Sequence, residues 1–439
     1  MGQTARNVEA VQQSAKAAID AMTKAGADQA EAWASTSVMT ELYYEGGKIS
    51  MVRTVHQESM SLKAIQKQRM GKARITGLDP VVIKKTAGDT LDSAKTAPED
   101  PAEGVAEKVE NGEVYTGPQT PDLDAMYTQM ENLVKEVKQR YPKVVLDGFG
   151  VQHTATSQHY ASTLGASLTE TAGVYEASSM LMARDGEKVS SFSGFDVAYP
   201  DPAKALLEMD TVERNMREIE EQIETKPVDG SFTGELLVSP RCLGNILWSP
   251  HANFLSDSAH IMGTSLWKDK LGQQVADSRL NWRADPYDPS IVTGERITAD
   301  GYPSKTLVII EKGVLKNFAL SRYGAAKTGQ KRSGNTAMDF VVDPGTSALA
   351  DMIKSMKRGL IMHRFSGAEP GPNGDMTGVA KNSYYVAKGK VAFPVDETMI
   401  SLNVTDLFKS IVAISAEVER GGYSSLPWVL FKDVVISGK

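Results

Sequence analysis

Between Val38 and Ile75 short runs of apolar side chains fall on alternate positions. Val38, Thr40, Leu42 and Tyr44 alternate, Gly46-Gly47 makes a turn, and Ile49 and Met51 resume the pattern. Met60, Leu62 and Ala64 extend it, Gln68 to Gly71 turns the chain again, and Ala73 and Ile75 follow. A period of two sends every second side chain to one side of a pleated strand, so these segments predict an antiparallel meander. A helix precedes it: Val8, Val11, Ala15, Ile19 and Met22 recur at helical spacing, and Gly26 closes the run.

Helical spacing returns at Pro80 to Ala97, with Ile83, Ala87, Leu91 and Ala94 on one face, and again at Leu123, Met126, Met130, Leu133 and Val137. Between these helices, residues 97–121 are rich in Pro and Gly and predict an irregular surface excursion. Strands are expected over 143–198, with His153 and His159 on a strand and its following turn as ordinary polar surface. A long helix is expected from Pro202 to about Thr225, its Glu218, Glu220, Glu221 and Glu224 forming a solvated face. The loop Lys226 to Thr233, with Pro227, Asp229 and Gly230, marks a domain boundary. The chain therefore divides into an N-terminal α+β domain with an antiparallel sheet (1–226) and a C-terminal, mostly-β domain (227–439). Short helices are expected near 350–360 and 404–412.

Several functions are argued against by composition. A net charge of −7 lacks the basic footprint of a nucleic-acid groove. A single cysteine in 439 residues allows no internal disulfide framework and fits a reducing cytosol. No apolar run is long enough to span a bilayer, and the polar N-terminus has no secretory h-region, so a cytoplasmic protein is expected. There is no Gly-x-Ser-x-Gly elbow and no Gly-x-x-x-x-Gly-Lys-Ser/Thr phosphate loop; the glycine-rich Glu369 to Gly374 reads as a turn cluster. Cys242, beside Leu243 and Ile246, reads as an inert buried thiol.

The chemistry-bearing stretch is Gly244 to Val275. It holds Gly244, Leu247, then Gly263-Thr264-Ser265, then Leu271-Gly272-Gln273-Gln274-Val275. Further on come Asp300-Gly301-Tyr302-Pro303, Ile310-Glu311-Lys312-Gly313-Val314-Leu315-Lys316, Ser333-Gly334-Asn335, Gly374-Asp375, Gly389-Lys390, Phe393-Pro394-Val395 and Leu402-Asn403-Val404. In order and spacing these resemble the TldD/PmbA peptidase family, which also carries a modulator-of-DNA-gyrase label. The metal-carrying branch of that family has His-Glu-x-x-x-His between the first two landmarks and a cysteine near the C-terminus. Aligned on the flanks, the two ligand positions fall on Trp248 and Asn253, and the general base falls on Ser249. The matching C-terminal stretch, Glu419 to Pro427, has no thiol. Two further departures are the missing turn glutamate at Asp300-Gly301 and Leu402 in place of a glycine.

A catalytic zinc takes about three protein ligands and an open position for water. Indole cannot ligate it, a serine hydroxyl is too weak a base, and an amide oxygen suits harder ions. The resemblance thus implies a TldE-like, non-catalytic subunit with no metal or cofactor of its own, paired with a TldD-like zinc subunit that processes unfolded peptides. The alternative is a stand-alone homodimer that binds peptides or a small molecule without cleaving them. A third option, an enzyme with displaced groups or a relocated metal site, would have to use His251, Asp257 and His260. His251, His260, Arg332 and Asn335 are the candidate substrate-cleft residues; the resemblance turns the 331–335 loop toward the cleft. Trp248 is expected to fill the former metal position, and His363 beside Arg364 to play a structural part.

Overall fold

In the computed structural model, which describes residues 3–146, 148–209, 211–367 and 371–438, the architecture is α+β. Glu369 and Pro370 of the expected turn cluster lie outside the described residues.

Helix α1 (Gln3–Lys24) leads into the meander β1 (Gln29–Glu45), β2 (Lys48–Gln66) and β3 (Arg69–Thr76). Both hairpin turns need left-handed backbone. Gly46 and Gly47 supply it at one (φ 61° and 83°), while Lys67 and Gln68 adopt it at the other (φ 53° and 60°). This is the backbone that two-residue hairpin loops favour, because its twist matches that of the strands. Helix α2 (Pro80–Thr96) starts on Asp79, whose carboxylate accepts from the amides of Val81 and Val82, with Pro80 in the first turn. Next come β4 (Gly112–Thr116), α3 (Leu123–Arg140), the two-residue β5 (Val144–Val145), β6 (Phe149–Ser162), β7 (Ser167–Asp185), the two-residue β8 (Lys188–Val189), and β9 (Ser193–Tyr199).

The first sheet runs β3-β2-β1-β6-β7-β4, with β9 also on β7. Its pairing sets Ala32 opposite Leu62 and Ala161, and Leu42 opposite Val52 and Val151. Even-numbered residues of β1 face the helices. Ala30, Ala32 and Ala34 are small enough to bring α1 and α2 close, and they pack with Met60, Leu62, Val11, Ile83 and Leu91. Leu42 and Tyr44 join a second core under α3 with Met130, Leu133 and Phe149. Burying such side chains supplies the main stabilisation, ~1.5–3 kcal/mol for each large one. The odd-numbered residues of β1, from Glu31 and Trp33 through Ser35, Ser37 and Met39 to Glu41 and Tyr43, sit on the opposite face and are all half-buried.

Four expectations need correction. The helix expected over 202–225 is a 3-10 turn at Leu206–Glu208 followed by α4 (Val212–Glu221). Leu206 and Leu207 are buried, and the backbone extends at Met209, which ends the turn. Glu218 is not solvated; it is buried against Arg214 and His363. His153 and His159 both lie within β6, on its helix-facing side, and are buried. His153 Nε2 bonds the Pro118 carbonyl at 2.8 Å and His159 Nδ1 bonds Thr169 Oγ1 at 2.9 Å. The 97–121 excursion buries Ala102, Val105 and Ala106 and contributes β4 to the sheet.

The second sheet begins with β10 (Ser231–Val238), which pairs with Ser425–Ser437 and with Arg358–Met362. Leu236 and Val238 join the largest core, and Leu237 points to the other side beside Ile361, Tyr384, Trp428 and Leu430. The two halves meet through side chains from both. Tyr384 donates to Glu221 at 2.6 Å, Arg214 pairs with Glu419, Arg322 donates to the Ala102 carbonyl at 2.7 Å, and Lys327 pairs with Asp100 at 2.9 Å. Among the described residues no helix is long and apolar enough to cross a membrane.

Candidate functional site

Helix α5 (Pro240–Pro250) carries the first two altered positions. Ser239 caps it by accepting from the Cys242 amide, and Pro240 occupies its first turn. Cys242, Ile246 and Leu247 face the core. Burial pushes the Cys242 thiol up to about 12, so it is inert, as its neighbours suggested. Gly244 lies against Leu426, which brings the start of the helix beside the 419–427 stretch.

At Pro250 the helix changes form, and His251–Leu255 is a single π turn. Positions 248 and 253 are five residues apart. A regular α-helix would separate them by roughly 140° around its axis. The π turn begins only at His251, so it widens the second half of this interval and draws the pair closer than that. The irregularity thus falls at the second ligand position, without the ligands. Trp248 and Asn253 are half-buried. Ser249 is fully buried, and its hydroxyl has no hydrogen-bond partner among the described residues. These three side chains do not fit a catalytic zinc: they offer one donor-only indole, one buried hydroxyl and one neutral amide.

The displaced-site residues do not come together. Asp257 opens α6 (Asp257–Ile261), and its carboxylate accepts from the Ser321 amide at 2.9 Å and from the Ser321 hydroxyl. Ser321 caps α7 (Arg322–Thr328), so Asp257 holds two helix starts together. His260 Nε2 bonds the Phe254 carbonyl at 2.9 Å, and its ring lies 4.1 Å from that of Phe318. His251 is buried edge-on to Phe340, and burial lowers its pKa to about 4, so it is neutral near pH 7. Among the described residues no three His, Cys, Asp or Glu side chains cluster to hold a metal ion. The relocated site drawn from these residues is not formed.

The 331–335 loop is also internally committed. Arg332 grips both carboxylate oxygens of Asp300, at 2.7 and 2.9 Å, and stacks on Tyr302. That pairing, with the Thr298 hydroxyl and the Arg322 amide, holds the Asp300 carboxyl below its usual range despite burial. Asn335 is fully buried and is no cleft residue. It donates to the Ala284 and Lys305 carbonyls and accepts from the Ala337 amide. Trp267 is buried against Phe254.

A cavity of about 690 Å³ adjoins the 331–335 loop, between Tyr302, Lys305, Phe318, Gln330, Arg332 and Gly334, and further open space lies along the odd-numbered face of β1. A cavity of about 800 Å³ is floored by β3, β2, β1, β6 and β7 and roofed by the 293–299 segment. Its acidic groups are Glu31, Glu170 and Glu295, and its aromatic wall is Trp33. Burial raises the carboxyls of Glu31 and Glu170. Burial, then the like charges of Asp339, Glu170 and Asp300, push Glu295 up to about 7. A second cavity, of about 690 Å³, lies farther along the same face, between Glu41, Glu176, Asp196 and Tyr423. Tyr423 donates to Glu176 at 2.7 Å and belongs to the stretch that matches the family cysteine region. Sequence inspection missed these residues. Their one signal was the polar set on alternate positions opposite the apolar face of β1.

Comparison with known proteins agrees with this architecture. The family model of the PmbA/TldA metallopeptidase C-terminal domain matches residues 232–438. Over 216 residues the chain is 26% identical to an uncharacterized protein of Methanocaldococcus jannaschii, spanning about half (51%) of that relative. It is 22% identical to the metalloprotease PmbA of Escherichia coli O157:H7, over 94% of its own length and 93% of that protein. The crystal structure of TldE from Thermococcus kodakarensis superposes with a TM-score of 0.83 at 20% identity, covering 96% of this chain and 99% of that one.

Proposed function

Residues 232–438 make this chain a member of the PmbA/TldD metallopeptidase family, and from that membership we propose that it acts as a metal-free, TldE-like partner of a zinc-bearing TldD-like peptidase. One observation supports the reading: Trp248, Ser249 and Asn253 stand where the family's ligands and base would fall, and an indole, a fully buried hydroxyl and a neutral amide do not suit a catalytic zinc. The partner supplies the zinc and the bond cleavage. This chain supplies a wall of the peptide cleft, using the half-buried polar face of β1, β6 and β7. An extended peptide has main-chain donors and acceptors along its whole length, so such a wall tolerates many sequences. The intracellular setting expected from the single cysteine belongs to the same proposal.

The test is reconstitution. The isolated chain is expected to hold negligible zinc by elemental analysis and to leave an unfolded peptide intact. Cleavage is expected on adding a metal-bearing family member. Cleavage by the isolated chain would overturn the proposal, and so would a stable self-dimer that neither binds nor stimulates such a partner.

A further inference from the structure

The 800 Å³ cavity is polarised across its floor. Four strand spacings separate β3 from β7, roughly 19 Å at ~4.8 Å each. Lys72 and Arg74 stand exposed on β3, and Glu170 is buried on β7. Between them Glu31 is balanced: it accepts from Tyr160 at 2.9 Å and lies in the field of Lys63 and Lys72. At the β7 end the balance fails. Glu295 Oε2 is shut off from solvent, with no hydrogen-bond partner among the described residues. Its acidic neighbours are Asp339, Glu170 and Asp300. Arg332, the cation in its field, is taken up by Asp300, and Arg296, whose charge and amide favour the Glu170 carboxylate, donates to the Pro286 carbonyl and stacks on Tyr287.

A buried carboxylate oxygen without a donor is costly, and more so when charged. Glu295 lines the cavity, so a turn of its side chain brings that oxygen into the open space, where a positively charged donor removes the cost. A metal ion is the poorer candidate, since no three acidic or other ligating side chains converge among the described residues. The space suits an organic cation on a longer carrier. Trp33 presents an aromatic face, and its orientation is fixed: its indole N–H donates to Gln158 at 3.2 Å, and Gln158 donates to Glu170 at 2.8 Å. One hydrogen-bonded chain thus ties the aromatic wall to the acidic end. An ammonium group uses both, through charge-assisted hydrogen bonds and through the ring.

We propose that the Glu170–Glu295 end of this cavity binds a primary ammonium group, either the free amino terminus of a peptide or the side-chain amine of a lysine. The proposal rests on the peptide-handling reading for its carrier but not for its chemistry. With the cation in place Glu295 can ionise fully.

Calorimetric titration of the full chain tests it with three probes: pentaalanine amide, its Nα-acetyl form, and acetyl-Ala-Ala-Lys-Ala-Ala amide. At least one amine-bearing probe is expected to bind ten-fold or more tightly than acetyl-pentaalanine amide, and the tighter of the two identifies the amine's source. Glu295→Gln and Glu170→Gln are each expected to abolish the preference, and Glu131→Gln, exposed on α3, to keep it. If Glu295→Gln does not fold, Glu170→Gln decides. Equal binding of all three probes overturns the ammonium site while leaving the peptide reading intact, and so does a preference that survives both glutamine variants. If no peptide binds, propylamine is titrated. Binding lost in Glu295→Gln keeps the site and rejects the peptide reading; no binding of propylamine overturns the site.

Discussion

Glu218 Oε2 lies 3.2 Å from His363 Nδ1, joining α4 to the end of a strand in the other half of the molecule. Both side chains are about 10% exposed, and Arg214 closes the group, reaching Glu218 at 3.2 Å and pairing with Glu419. Burial raises the Glu218 carboxyl to about 7, against the pull of Arg214 and Arg217 and with the push of Glu221. Burial and the same two arginines hold His363 well below its usual range, so the imidazole stays neutral. A neutral imidazole nitrogen accepts a hydrogen bond, and a protonated Glu218 can donate it.

The sign of the pH dependence follows. The native state keeps the Glu218 proton after the unfolded chain, with an ordinary glutamate near 4.5, has released it. The contribution is therefore complete below 4.5 and is lost as pH rises toward 7. Compared with Glu218→Gln, the wild type should lose stability between pH 5 and pH 8, by an amount on the order of 1–3 kcal/mol. Denaturant titrations of both proteins at the two values measure it. A stability difference that stays constant with pH would show that Glu218 does not titrate in this window.

Gly71 and Gly88 should respond oppositely to the same change. A Cβ at Gly71 would overlap the Thr90 carbonyl oxygen of α2, which packs on β3. At Gly88, inside α2, it would meet nothing within 4 Å. Gly88→Ala should stabilise by ~0.5–1 kcal/mol through helix propensity. Gly71→Ala should destabilise by about 2 kcal/mol or more, because backbone must shift. Midpoints of chemical unfolding decide this, and a neutral Gly71→Ala would refute the close approach.

Asn335 offers a third test, because its environment argues for structure over ligand contact. Its amide nitrogen serves two carbonyls from different segments, those of Ala284 and Lys305. Asn335→Ala leaves both without that donor and opens a void, so stability should fall by about 2–4 kcal/mol. Peptide affinity, measured well below the melting temperature, should stay within two-fold of wild type. A stable variant with lost affinity would restore Asn335 to the cleft.

The parts of the fold that were legible in the sequence are those set by local repetition. The β1–β3 meander and helices α1, α2 and α3 announce themselves because Leu42, Leu62, Ile83 and Leu133 recur at the period of the element that buries them. Glu218 was misread because its neighbours in sequence are charged, whereas in the fold His363 from the other half lies against it and Arg214, stacked on Trp428, closes over it. The same holds for the site. Trp248, Ser249 and Asn253 could be located from flanking glycines, but Glu31, Glu170 and Glu295 belong to three distant segments. Only the folded sheet brings them to one cavity. The commitments of Asp257 and Arg332 to Ser321 and Asp300 were equally hidden, since either residue alone is also what a binding cleft would use.

The π turn at His251–Leu255 allows a last test, one of restoration. If the backbone at His251–Leu255 still suits a pair five residues apart, then Trp248→His combined with Asn253→His should create a two-imidazole site. Ser249→Glu would add a carboxylate beside it. Two imidazoles leave zinc short of the three ligands a catalytic site uses, so binding should be weak but close to one ion per chain. Neutral imidazole is the ligating form, so the affinity should fall as pH drops below the ordinary histidine range. Competition against a chromogenic chelator measures both. The single variants should bind at least ten-fold more weakly than the pair, because one imidazole is no chelate. A double variant no better than either single one would mean that the backbone here does not bring positions 248 and 253 within reach of one ion.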